Sequence, residues 1–178
     1  MLWTNSERAH IMKNVKLSAA SLVALAVATP AMADLGDGLF AAGGDVTVEI
    51  LESSAGYTSE LHLDSPVSMF IGTNRDLGTI VNLGSFTAGT EMIFRLFVRD
   101  TEQSYFTGAA DRNPDEFIHA NVTWESPNVA VVGFEDIYGG GDADYNDCTF
   151  RFTGVAVPTP GSAALFGLGG LLVARRRR

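Results

Sequence analysis

The chain has one cysteine, three histidines and very little positive charge where a folded domain would lie. Cys148 has no partner, so no internal disulfide can form and stability must come from packing or from a metal. Of the twelve basic residues, seven sit at the ends: Arg8, Lys13, Lys16 and Arg175 to Arg178. Between Asp34 and Val157 there are twenty acids and only five bases, a net of 20 − 5 = 15 negative charges. That balance excludes a nucleic-acid partner, which needs a basic footprint. With so few histidines and one cysteine, the Cys/His cluster of a zinc site is absent. No G-x-S-x-G nucleophile pattern occurs after residue 33, and no catalytic residue is assigned. No stretch after residue 33 keeps a helical period.

Short segments of alternating or β-branched residues fill that middle region instead. Val46, Val48 and Ile50 alternate with Thr47, Glu49 and Leu51. Met92, Phe94, Leu96 and Val98 alternate with Ile93, Arg95, Phe97 and Arg99. Weaker strands are expected over 57–63, 67–71, 79–83 and 117–124, and two more over 129–134 and 148–153. Residues 34–44 read as a loose lead-in, rich in Gly and Asp. Seven to nine short strands broken by turn signals predict an all-β fold, an antiparallel β-sandwich with the jelly roll as one candidate arrangement. Cys148 is expected to face inward with Phe150 and Phe152, as a small apolar residue. His119, the only histidine near other polar candidates, reads first as a structural hydrogen-bonding residue, with membership of a site as the alternative.

The two ends read as addresses rather than as fold. Residues 1–33 have the order of an export signal: the basic run Met12 to Lys16, an apolar run Leu17 to Ala28, and the small-x-small site Ala31, Met32, Ala33. Met12 is the expected start and Asp34 the expected mature N-terminus. At the other end, residues 157–178 open on Val157-Pro158-Thr159-Pro160-Gly161. They continue through a small apolar run, Ser162 to Ala174, expected as a short hydrophobic helix, and close on Arg175, Arg176, Arg177 and Arg178. The thirteen-residue run is short of the ~20 residues that span a bilayer comfortably, and the arginines would hold their end on the cytoplasmic side. The domain between is 34–156.

The densest chemistry lies between the last two strands. Glu135, Asp136, Asp142, Asp144 and Asp147 fall within thirteen residues that hold no Lys or Arg. Gly139, Gly140 and Gly141 permit tight backbone curvature there. Asp142-x-Asp144-x-Asn146 places oxygen-bearing side chains at alternate positions, as hard-cation loops do. The expected ligands of a Ca2+ ion are Asp142, Asp144, Asn146 and Asp147, with Glu135 or Asp136 closing the shell. The loop is not an EF-hand: with Asp142 as position one, position six is Asp147 rather than Gly and position twelve is Thr153 rather than Glu. The competing reading is a solvated hairpin loop whose Asp and Asn side chains cap turns. Its length favours an organising partner.

Two resemblances add to this. Residues 157–178 resemble the PEP-CTERM sorting signal, with Thr159 standing where that signal usually carries glutamate. The resemblance implies an exosortase-type processing enzyme as partner. It also implies transient contact with the inner membrane through the hydrophobic helix, in a Gram-negative-type envelope. Roughly residues 80–154 are similar to the domain of unknown function family numbered 4114. The similarity is carried by Asn82 to Glu91 (NLGSFTAGTE), Asn113 to His119 (NPDEFIH) and Gly133 to Asp147 (GFEDIYGGGDADYND). It implies a β-rich extracellular module of the kind found in surface and adhesin-like proteins, and no known reaction.

Taken together, the expected function is that of an exported, non-enzymatic protein of the cell surface or extracellular matrix. Its acidic loop would be stabilised by Ca2+, and its partner would be an extracellular polysaccharide or a surface protein. The alternative is a Ca2+-dependent, lectin-like carbohydrate-binding module, with Tyr138, Tyr145 or Trp124 stacking on the sugar ring. A polysaccharide hydrolase using Glu135 and Asp136 ranks below both, since adjacent strand residues point to opposite faces.

Overall fold

The computed structural model describes residues 35–157, and the expected leader (1–33) and the tail from residue 158 onward lie outside the described residues. Eleven strands are present in that span: β1 (Leu39–Ala41), β2 (Gly44–Glu52), β3 (Ser59–Ser65), β4 (Met69–Thr73), β5 (Ile80–Phe86), β6 (Glu91–Val98), β7 (Gln103–Phe106), β8 (Ala120–Ser126), β9 (Val129–Phe134), β10 (Cys148–Thr153) and β11 (Val155–Ala156). The one helical element among the described residues is a 3-10 turn at Ala110–Arg112. Every pairing is antiparallel.

The strands form two sheets. One has six strands in the order β11-β1-β6-β3-β4, with β7 also paired to β6; the other runs β5-β2-β10-β9-β8. β1 pairs with β11 and β2 with β10, so both ends of the domain close on each other. The inward faces meet in one core. Val46, Val48, Ile50, Val132, Phe134, Phe150 and Phe152 come from the five-stranded sheet, and Leu61, Leu63, Met92, Phe94 and Leu96 from the six-stranded one. The Phe94 and Phe152 rings touch across the gap at 4.4 Å between centroids. The alternation of β2 and β6 is realised side chain by side chain, because a strand with one covered face buries every second residue.

The structure adds three strands to the expected set. β1, β7 and β11 have three, four and two residues, too few for a period to show in sequence. The expected loose lead-in therefore contains an ordered strand. Leu39 and Ala41 are buried because β1 is held between β6 and β11. Residues 117–119, expected as the start of a strand, instead lie in a loop and make side-chain contacts described next.

Candidate functional site: an acidic loop at one end of the sandwich

β9 and β10 pair in register up to Phe134 opposite Cys148, and the thirteen residues Glu135 to Asp147 bulge from that end. The loop does not stand away from the sheet. It folds back so that the Tyr145 carbonyl lies over Gly133 on β9, 1.9 Å from where a Cβ would be built. Only glycine permits that approach. Gly140 (φ +79) likewise sits under the Phe117 ring. Five of the seven residues from Gly139 to Tyr145 have positive φ, among them Ala143 and Tyr145, which carry side chains. Such a conformation costs non-glycine residues roughly 1 kcal/mol or more each, so the surroundings must hold it.

Two neighbouring segments do so. From the connection between β7 and β8, the Asp115 carboxylate accepts the Gly139 amide (2.7 Å) and faces His119 Nε2 (2.8 Å). His119 Nδ1 donates to the Glu135 carbonyl (2.9 Å), and the Tyr145 hydroxyl donates to the Ile118 carbonyl (2.9 Å). The His119 ring is fully buried and stacked on Tyr105, with centroids 3.7 Å apart. Burial pushes the Asp115 carboxyl up, but the donors from Gly139, His119 and Phe117 outweigh it and hold the group below its ordinary range. From the turn between β2 and β3, the amides of Ser54 and Ala55 donate to the carbonyls of Asn146 and Asp147. His119 is thus a structural residue, as its sequence context suggested.

The six candidate ligands divide into two groups. Carboxylate oxygens of Glu135, Asp142 and Asp144 all lie within 4.8 Å of one another, with Glu135 buried and both aspartates exposed. Glu135 also accepts the Tyr145 amide, which fixes its carboxylate at the base of the group. Asp136 and Asp147 turn the other way. Asp147 accepts the Asp136 amide (3.0 Å), and the Asp136 carboxylate accepts the Ser59 hydroxyl (3.3 Å). The structure does not bring Asn146 into the three-acid group as an acceptor. Its amide nitrogen donates to Asp144, because the left-handed Ala143 and Tyr145 break the alternation that the Asp-x-Asp-x-Asn spacing suggested. The side chains of Glu135 and Asp136 diverge, so the two do not form an acid–base pair around one point.

No ion pair among the described residues reaches any of these five acids. Arg95 is taken by Asp64, Arg99 by Glu60, Arg112 by Glu91, and Arg151 by Glu49 and Glu125. Arg75 donates to the carbonyls of Ala55, Gly56 and Tyr57. Glu135 and Asp136 are only 1% and 2% exposed, which makes uncompensated charge expensive. Burial first, and then the neighbouring carboxylates, raise both. Asp136 is pushed up to about 6 by burial and by Asp147. Cys148 beside them is pushed up to about 12, by burial and then by Asp136, so it stays an unreactive thiol.

Sequence reasoning missed the supporting residues Ser59, Asn74 and Asp115. Asn74 accepts the Ser59 amide (3.0 Å) and donates to Ser53 and the Tyr57 carbonyl, fixing the strand that faces Asp136. Asp115 and His119 do stand in one short polar segment, and that segment was the available signal. Of the three aromatics considered for stacking, only Tyr138 is free and exposed. Tyr145 is committed to Ile118, and Trp124 packs partly buried against the core with its indole N–H unpaired.

The donors in the three-acid group are all oxygens. That set suits a hard cation and offers nothing a zinc or copper site would select. A family model described as "Domain of unknown function (DUF4114)" matches residues 67–155, which takes in β4 to β10 and the whole acidic loop and begins earlier than the resemblance read from sequence. No curated protein and no solved structure matches the chain.

Proposed function

The chain belongs to this DUF4114 family, and from that premise we propose that it is an exported, non-enzymatic protein of the cell surface or extracellular matrix whose acidic loop is held closed by Ca2+. One observation carries the cation: five carboxylates gathered at one end of the sandwich, two of them almost fully buried, with every nearby arginine engaged elsewhere. Glu135, Asp142 and Asp144 would hold the ion, and rotation of the Asn146 amide would add its carbonyl oxygen. Asp136 and Asp147 lie behind this group and would feel the same charge. Ca2+ fits better than Mg2+ because it takes 6–8 oxygens in loose geometry and sheds its waters more readily. The ion would supply the positive charge that the loop lacks and fix the left-handed turn from Gly139 to Tyr145.

Export and sorting rest on the sequence of the two ends: the leader before Asp34, and the Pro158, Thr159, Pro160 motif with its apolar run and Arg175 to Arg178. An exosortase-type enzyme would process the tail at the inner membrane of a Gram-negative-type cell. The divergence of Glu135 and Asp136 favours a binding role over a hydrolytic one. Titration of the full chain with Ca2+ by calorimetry tests the loop. Saturable binding that disappears in Asp142→Ala/Asp144→Ala supports the reading, and absence of heat in the wild type removes it. Fractionation of producing cells tests the address, which fails if the protein stays in the cytoplasm.

A further inference from the structure

We propose that the outward face of the six-stranded sheet binds a neutral, hydroxyl-rich polysaccharide laid across the strands over Phe70, His62, Arg95 and Phe106. Strand register places these four in one row. His62 on β3 stands opposite Phe70 on β4 and opposite Arg95 on β6, and Arg95 stands opposite Phe106 on β7. Adjacent strands lie about 4.8 Å apart, so the row is roughly 14 Å long. The chain neighbours Leu61, Leu63, Ile71, Phe94, Leu96 and Tyr105 are buried, so the row itself turns outward. The Phe70 and His62 rings meet edge to face with centroids 5.3 Å apart, and Phe70 remains 54% exposed at the end of the row. Beside Arg95, the Phe97 ring centre lies 6.0 Å from the guanidinium. The outward positions of β2, β8 and β10 in the other sheet carry no aromatic ring.

The polar groups along the row are held in place and only partly used. Glu60 accepts Arg99 Nε at 2.6 Å through one oxygen and faces His62 Nε2 at 2.9 Å through the other. Arg95 donates Nε to Asp64 Oδ1 at 3.2 Å. The two terminal nitrogens of Arg95 and the second oxygen of Asp64 have no hydrogen bond among the described residues. Fixed donors and acceptors beside an exposed ring suit a sugar, which offers hydroxyls that donate and accept and a ring face that stacks. Glu60 and Asp64 balance Arg95 and Arg99, in a span that carries 15 net negative charges. That span repels a polyanion, and a polycation would find both carboxylates already paired. Four charged side chains amid the face disfavour a protein partner, because the cores of protein interfaces are depleted of charge. None of these residues belongs to the acidic loop, so the site is independent of the cation proposed above.

Affinity gels cast with dextran, mannan, xylan or a mixed-linkage β-glucan, run on the full chain with Ca2+ and with chelator, test this face. Retardation in at least one gel is expected, equal in the two conditions. Phe70→Ala and Arg95→Lys should each weaken it roughly tenfold, the second because lysine keeps the charge and loses the planar fork. Phe70→Tyr should retain it, and so should Ile80→Ala, which removes an exposed apolar side chain from the other sheet. Both weakened variants should melt with the wild type, since they alter the outward face and leave the core intact, and this separates lost binding from lost folding. Retardation by none of the four polymers overturns the proposal. Retardation that survives both Phe70→Ala and Arg95→Lys overturns it as well. Retardation that vanishes with chelator and ignores both variants puts the sugar at the acidic loop and overturns this face as its site. The cation reading is judged separately, by the Ca2+ titration.

Discussion

On the faces of the two sheets, Glu49 and Glu125 share Arg151, Glu60 holds Arg99 and His62, Asp64 holds Arg95 and Glu91 holds Arg112. In the loop between β9 and β10, five acids have no such partner among the described residues. The electrostatics differ accordingly. The Glu125 carboxyl lies below its ordinary range because Arg151 donates to it, and Glu60 lies below despite burial because His62 and Arg99 outweigh that cost. Glu135 and Asp136 lie above theirs, through burial and mutual repulsion. The same residue types in one small domain thus carry opposite shifts, decided by whether a cation is within reach. The sheet faces carry their own cations; the loop must take one from solution, leave its charge unsatisfied, or hold a proton.

The largest effect should come from lifting the loop off its seat. Gly133→Val places a side chain where the Tyr145 carbonyl lies, so the loop must leave β9. A loss of roughly 3 kcal/mol or more in denaturant unfolding is expected, with the Ca2+ response gone as well. The sheet-face pairs should be untouched, since none of their residues lies on β9.

Next comes pH, with chelator present. Asp136 titrates near 6 in the fold against 3.8 as a free side chain, so between those values the folded state holds more protons than the unfolded one. Stability from this group should therefore fall as pH rises from about 4 to 6. Melts across that window should show the fall, and Asp136→Asn should flatten it. Glu60 and Glu125 run the other way: their stabilisation is present above the ordinary carboxylate range and is lost only as pH drops below it. A melt that rises steadily from pH 4 to 6 would show that the loop acids do not dominate. The smallest effect belongs to a sheet-face pair. Arg99→Ala should cost about 0.5 kcal/mol or less, since its guanidinium is half exposed and screened by solvent, and should leave the Ca2+ response unchanged.

Much of the fold was legible in the sequence because alternation is a local signal. The alternation from Met92 to Arg99 reads as a strand with no knowledge of its neighbours, and β6 is found at Glu91–Val98; Cys148, Phe150 and Phe152 likewise declare their inward face. β1, β7 and β11 did not, since two to four residues become strands only by pairing with something distant. The loop shows the same division. Five acids and three glycines between two strands marked it as a site. Which acids meet depended on backbone turns at Ala143 and Tyr145, residues that do not advertise a left-handed conformation. The contacts that hold the loop come from Ser54, Ser59 and Asp115, 24 to 92 residues away in the chain, and no spacing rule reaches that far.

The most direct test is a thermal melt of the full chain with excess Ca2+ and with chelator, beside the Asp142→Ala/Asp144→Ala variant. A cation bound only to the native state adds about 2.7 kcal/mol at a hundredfold excess over Kd, a rise in Tm of roughly 5–15 °C for a domain of this size. The expected result is that rise in the wild type and none in the variant. Superimposable wild-type melts with Ca2+ and with chelator would contradict the account and return the loop to a solvated turn.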